Sequence, residues 1–152
     1  MIRIKKSQTA DTRTCDFKTV SKETLVASSK QHIQDVAAGL EMIKAIFGLA
    51  QIAHDHDKLS GIDHFHADFV TGFEKTEWWD NHRKVNRHHL QKDDGVPVDV
   101  NLVDVIEMIV DCVMAGMARS GKVYDVKIDP AILQKAFDNT VELLKQNVEV
   151  IP

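Results

Sequence analysis

IKAIFGLAQIAHDHDK, residues 43–58, joins eleven mostly apolar residues to five consecutive polar ones. The first part reads as a helix entering a core. The second part packs two His-Asp pairs and a lysine against its end. A polar helix terminus at the surface would explain the change. A metal site would explain it too, because imidazole and carboxylate together are the ligand set of the first-row divalent ions.

Working outward from this stretch, the chain reads as helical almost throughout. Ser21 is an N-cap type of residue, and the periodicity after it predicts a helix over 22–38. A break at Gly39 then separates it from a second helix over 40–55. Ile62 to Trp79 reads as a third helix, weakened by Gly72, and a short fourth segment holds WDNHRKVNRHHL (79–90). QKDDGVPVD (91–99) is the clear loop, with Gly95 and Pro97 as breakers. Asn101 caps LVDVIEMIVDCVMAGMA (102–118), a helix that stops near Gly121. Asp129-Pro130 opens the last helix, AILQKAFDNTVELLKQ (131–146). Its apolar stripe of Ile132, Leu133, Ala136, Phe137, Val141 and Leu144 is assigned to the core, with a homo-oligomer left open. MIRIKK (1–6) is a strand or a tail, and KVYDVKI (122–128) a strand or a loop. The expectation is an all-α protein, a compact helical bundle of about five or six helices. It would be one domain, with 1–20 as an extended arm.

Composition narrows the class. The 152 residues are 43% apolar and 28% charged, with a net charge of −4, the balance of a soluble globular protein. No Lys/Arg stripe stands out, which argues against dedicated nucleic-acid binding. Cys15 and Cys112 are far apart, and a buried thiol at Cys112 fits a reducing cytoplasm. The N-terminus has no apolar signal region, and no apolar run approaches the roughly 18 residues of a membrane span. The expected location is therefore cytoplasmic, with no membrane partner.

Several polar residues sit where apolar ones belong. Asp111 lies in MIVDCVM, and a buried carboxylate needs a cation, donors or a metal. Asp104 and Glu107 precede it by seven and four residues, so the three acids share one helix face. His32 lies on the first predicted helix, His54 and Asp55 end the next, and His82, His88 and His89 follow before Asp111. His82 and His89 are seven apart and share a face if that segment is helical. Eight histidines in 152 residues, in two tight clusters, point to a metal rather than to chance.

The order His, His-Asp, Asp on helices resembles the HD-domain superfamily of metal-dependent phosphohydrolases. Here these residues are His32, His54-Asp55 and Asp111. Asp55 is followed by Lys58, giving H-D-x-x-K as in the HD-GYP-like phosphodiesterase branch, which continues with an isolated His and a His-His pair, as His82 and His88-His89 do. His56-Asp57 is a second His-Asp pair, but only His54-Asp55 puts a lysine at the third position after Asp. The stretch WWDNHRKVNRHHL through EMIVDCVMAGMARSG is also similar to a small family of phage and bacterial proteins, whose members would work in a host cytoplasm.

The resemblance implies one or two divalent ions of the Mn, Fe, Co, Ni or Zn type. His32, His54, Asp55 and Asp111 would hold one. Asp55 would bridge to a second, held by His82 and by His88 or His89. Metal-activated water would be the nucleophile, with Asp55 and Lys58 as catalytic residues. Lys58, Arg83 and Arg87 would contact a small phosphorylated substrate such as a nucleotide. Asp104 and Glu107 would support the ligands from behind. His64 and His66 would be flanking or substrate-side residues rather than ligands. Trp78 and Trp79 are read as packing residues before base-stacking ones. Two rival readings stay open. One is a non-enzymatic metal- or nucleotide-binding protein. The other is a phage-encoded interaction protein that inhibits a host enzyme.

Overall fold

The computed structural model describes residues 1–7, 16, 18–75, 77–91 and 95–152. Cys15 and part of the predicted 91–99 loop lie outside the described residues. The fold is all-α, with six helical segments and two short strands among the described residues. The sequence reads as one domain, whereas the structure groups the chain into two compact units: Met1–Ala45 with Glu142–Pro152, and Ile46–Val141.

In the first unit, β1 (Ile2–Lys5) pairs in parallel with β2 (Val148–Ile151), Ile2 opposite Val148. MIRIKK is thus a strand. Arg3 Nε donates to Glu149 across the pair at 3.0 Å. The same unit holds most of α1 (Lys22–Ala53), capped by Ser21, whose Oγ accepts from the Thr24 amide at 3.2 Å. α1 corrects the predicted break, because it runs through Gly39 without interruption. A glycine costs a helix interior about 1 kcal/mol against alanine. That is too little to break a continuous helical pattern.

α1 corrects a second expectation. It has no buried residue, and an 18-residue window within Lys22–Ser60 reaches a mean hydropathy of 1.5. By length and composition this helix is long and apolar enough to cross a membrane. The two charges inside the run, Glu41 and Lys44, hide it from a reading that looks for unbroken apolar residues.

The second unit begins with the end of α1 and continues through α2 (Asp57–Ser60), α3 (Ile62–Phe69), α4 (Glu77–Val85), α5 (Leu102–Ser120) and the greater part of α6 (Pro130–Gln146). The single helix expected over Ile62 to Trp79 is two helices. Gly72 and Phe73 both take positive φ, 69° and 62°, a conformation no helix continues through. The buried Asp68 secures the turn: its carbonyl accepts from the Thr71 and Phe73 amides, and its carboxylate accepts from the Trp79 amide at 3.3 Å. Trp78 and Trp79 therefore start a new helix that carries His82 and Arg83.

α5 begins as its sequence predicts. The Asn101 side chain accepts from the Val103 amide at 2.9 Å, and Asp104 accepts from the Asn101 amide at 2.8 Å, a capping box. It ends at Gly121, which has φ 69° and donates to the Met117 carbonyl. The 122–129 segment folds back against α5. A Cβ on Gly116 would lie 2.5 Å from the Lys122 carbonyl oxygen, so only glycine allows this approach. Residues 123–129 form neither helix nor strand. Asp129 then caps α6 through the Ala131 amide at 2.7 Å. The core of this unit gathers Leu90, Val100, Val105, Met108 and Ala136, with Ile132 and Cys112 packed against it. Leu133, Phe137 and Val141 of the predicted α6 stripe remain exposed.

Candidate metal centre

The cluster is assembled from three stretches of chain, 54–58, 82–89 and 107–111, all in the second unit. His54 and Asp55 follow the end of α1, Asp57 and Lys58 open α2, His82 sits on α4, and Asn86, His88 and His89 lie in the turn after it. Glu107 and Asp111 project from one face of α5. Asp55 takes φ 52°, an uncommon conformation outside glycine that aspartate tolerates better than most residues. The buried Asn86 holds it there, its Oδ1 accepting from the Asp55 amide at 3.0 Å. The HDHDK stretch is polar because it is this turn, not because it is a solvated helix end.

Carboxylates orient the histidines from behind. Glu107 Oε1 lies 2.9 Å from His54 Nδ1 and 3.0 Å from His88 Nδ1. Asp57 Oδ2 lies 2.8 Å from His82 Nδ1, and Asn86 Nδ2 donates to Asp57 Oδ1 at 2.9 Å. Burial alone would raise the Glu107 carboxyl, but hydrogen bonds from His88 and His54 outweigh it and hold the group below its ordinary range. Burial is likewise outweighed at Asp57, by Asn86 and then His82. Ionised carboxylates only accept, so each Nδ1 carries its proton and donates. The Nε2 lone pairs of His54, His82 and His88 are thereby left to face the other way.

They face Asp55. Its Oδ1 lies 3.3 Å from His82 Nε2 and 3.7 Å from His88 Nε2, and its Oδ2 lies 3.7 Å from His54 Nε2. Asp111 closes the same side, 3.9 Å from His54 Nε2 and 4.0 Å from His88 Nε2. Donors about 2.0–2.2 Å from one ion stand roughly 3–4 Å apart, so this spacing suits shared ligation. Two groups of donors lie within 4.8 Å of one another: His54, Asp55 and His88, and Asp55, His82 and His89. Asp55 belongs to both. At Asp55 itself burial would again raise the carboxyl, but the Lys58 ammonium, by hydrogen bond and by charge, holds it well below its usual range. His89 is pushed down to about 3, by burial first and then by His88 and His82, and so presents a neutral ring.

The fit to a metal rests on four atoms. Asp55 Oδ1, His82 Nε2, His88 Nε2 and His89 Nε2 are buried without a hydrogen-bond partner. Each such atom costs about 1–3 kcal/mol when left unpaired. All four belong to the two groups around Asp55, and cation ligation satisfies all of them at once. Aromatic rings pack around the same histidines. Trp78 stacks on His82 at 4.6 Å between centroids, and Trp79 meets His89 edge-on at 5.5 Å.

Not every residue singled out from the sequence comes to this cluster. His32 is exposed in the first unit and belongs to neither group. Without a turn at Gly39, nothing folds its segment back along the end of α1. His88 occupies the place expected for His32, and His88 and His89 fall one in each group. Arg87 does not face a ligand site: it donates to Asp104 at 2.8 and 2.9 Å and to Asp99 at 3.0 Å. Asp104 is correspondingly taken up by Arg87 and the α5 cap rather than supporting a ligand. Arg83 is buried beside Asp80, at 2.8 Å, and lines a cavity of about 430 Å³ next to His88, His89 and Asp111. Lys58 pairs with Asp55 Oδ2. His56 turns outward and donates to the Ala53 carbonyl at 2.7 Å, and His64 and His66 are exposed. Asp57 and Asn86 were the residues not foreseen. Their only sequence signal is spacing, Asn86 one helical turn past His82 and Asp57 within the second His-Asp pair. No family model, curated protein or solved structure matches the chain.

Proposed function

We propose that the protein is a metal-dependent phosphohydrolase with a two-ion site. His54, Asp55, His88 and Asp111 would hold one divalent ion, and Asp55, His82 and His89 the other, with Asp55 bridging. The observation that carries this reading is the set of three buried, unpartnered histidine nitrogens gathered around an equally unpartnered oxygen of Asp55. Ions of the Mn, Fe, Co, Ni or Zn type bound there would acidify a water and offset charge on phosphoryl oxygens. The protein's own part is orientation. Glu107 and Asp57 fix the ring tautomers, and Asn86 fixes the strained Asp55 turn. Lys58, when Asp55 turns to metal, is left beside the site as a cation for a phosphoryl oxygen. The order His54-Asp55, His82, His88-His89 and Asp111 is the feature shared with the HD-GYP-like branch, without the leading histidine because His32 stands outside the cluster, and nucleotides are the first substrates to try.

The test is a turnover panel. Protein loaded separately with each ion is incubated with nucleoside mono-, di- and triphosphates and with cyclic mono- and dinucleotides, alongside Asp55→Ala. Hydrolysis by wild type that disappears in Asp55→Ala is the expected result. Metal bound in stoichiometric amount with no turnover of any phosphate ester would instead leave a metal-binding protein without this activity.

A further inference from the structure

Asp111 stands between two cavities. One is the 430 Å³ cavity that contains Arg83, Gln91 and Tyr124. The other, of about 370 Å³, lies between the end of α1 and α5 and is of different character. Its walls are Phe47, Ala50, Ile106, Val110 and Met114. Its polar residues are Gln51, His54, Glu107 and Asp111, and the last three belong to the metal centre. His54 and Asp111 are also the more open of the clustered side chains, each 32% exposed, whereas His82 and His88 are 0% and 2%. A molecule seated in this groove therefore touches an apolar wall and the accessible side of the cluster together. Ile106, Val110 and Met114 stand 45–64% exposed along it.

From this juxtaposition we infer that the groove holds an apolar carbon substituent of the phosphate ester whose phosphoryl group lies at His54 and Asp111. The inference rests on the phosphohydrolase reading and names its substrate class: an ester of phosphate with an alkyl or aryl alcohol. The volume has room for roughly a dozen heavy atoms, at about 30 Å³ for a water-sized group. In hydrolysis the water oxygen joins phosphorus and the P–O bond to the alcohol breaks. One proton of the water leaves with the alcohol. The apolar wall holds the leaving group, and its burial contributes to binding without any new polar contact.

The experiment measures binding, so that it stands apart from turnover. Manganese-loaded protein is titrated calorimetrically with inorganic phosphate and with methyl, butyl, hexyl and octyl phosphate. Affinity should rise about fourfold per added methylene. The exposed double variant Val110→Thr with Met114→Gln makes the wall polar, and Ala50→Phe fills the groove. Each should flatten the dependence on chain length and leave inorganic phosphate binding unchanged. Affinity independent of chain length overturns the inference. So does a dependence that survives both variants, or one lost instead in Tyr124→Ala of the other cavity. If the chain-length pattern holds but no ester is hydrolysed, the groove stands and the phosphohydrolase reading fails.

Discussion

Glu107 does more for the metal centre than its position on a solvated-looking helix face suggests. One of its oxygens accepts from two rings, His54 and His88. Removing it frees both rings to rotate and to protonate at the wrong nitrogen. Outer partners of this kind typically account for 10- to 100-fold in metal affinity. Glu107→Ala should weaken binding of the ion held by His54 and His88 by at least that much in a metal titration, and Glu107→Gln by less, because its amide oxygen still accepts. Equal effects of the two variants would show that the charge, not the acceptor, matters. At this scale the sequence was partly legible. Asp111 stood out as a ligand type in an apolar setting, and His54 and Asp55 because a dense His-Asp run ends an apolar helix. Asn86 did not, because nothing in a single asparagine announces that it will clamp a positive-φ backbone 31 residues away. His32 looked like His88 in composition, and only the course of α1 separates them.

The helices show what local signals fix and what they miss. Caps were readable: Ser21, Asn101, Gly121 and Asp129 all act where their chemistry says, since capping depends on a few neighbouring residues. Gly39 and Gly72 carry the same letter and opposite outcomes. Gly39 continues a helix, whereas Gly72 sits in a turn locked by Asp68. The β1–β2 pairing joins residues about 146 apart and lay beyond any local pattern. Arg87 belongs at this scale as well. It ties the turn that presents His88 to the start of α5. Arg87→Ala leaves the buried Asp104 with the Asn101 amide as its remaining partner and should cost about 2–3 kcal/mol, read from urea unfolding. The number of metal ions bound should not change. A variant of unaltered stability but raised KM would return Arg87 to the substrate site.

For the molecule as a whole, an ion that satisfied the four unpartnered buried atoms would make the loaded protein more stable than the metal-free one. Binding to the folded state alone adds about 2.7 kcal/mol at a hundredfold excess over Kd. The melting temperature should therefore rise on adding Mn, Co, Ni or Zn and fall back with chelator. A melting temperature indifferent to both would fit the reading in which the histidines are incidental. The all-α class was legible because helical periodicity covers most of the chain and only three prolines interrupt it. The division into two units was not, since it depends on where contacts between distant segments accumulate.

The most direct measurement is metal stoichiometry, by elemental analysis and calorimetric titration of the apo protein, its Asp55→Ala variant and its His32→Ala variant. Two equivalents are expected for the apo protein and for His32→Ala, and loss of both for Asp55→Ala, which removes the carboxylate common to the two groups. Failure of the unmodified chain to bind divalent ions, or two equivalents retained in Asp55→Ala, would contradict the two-ion site.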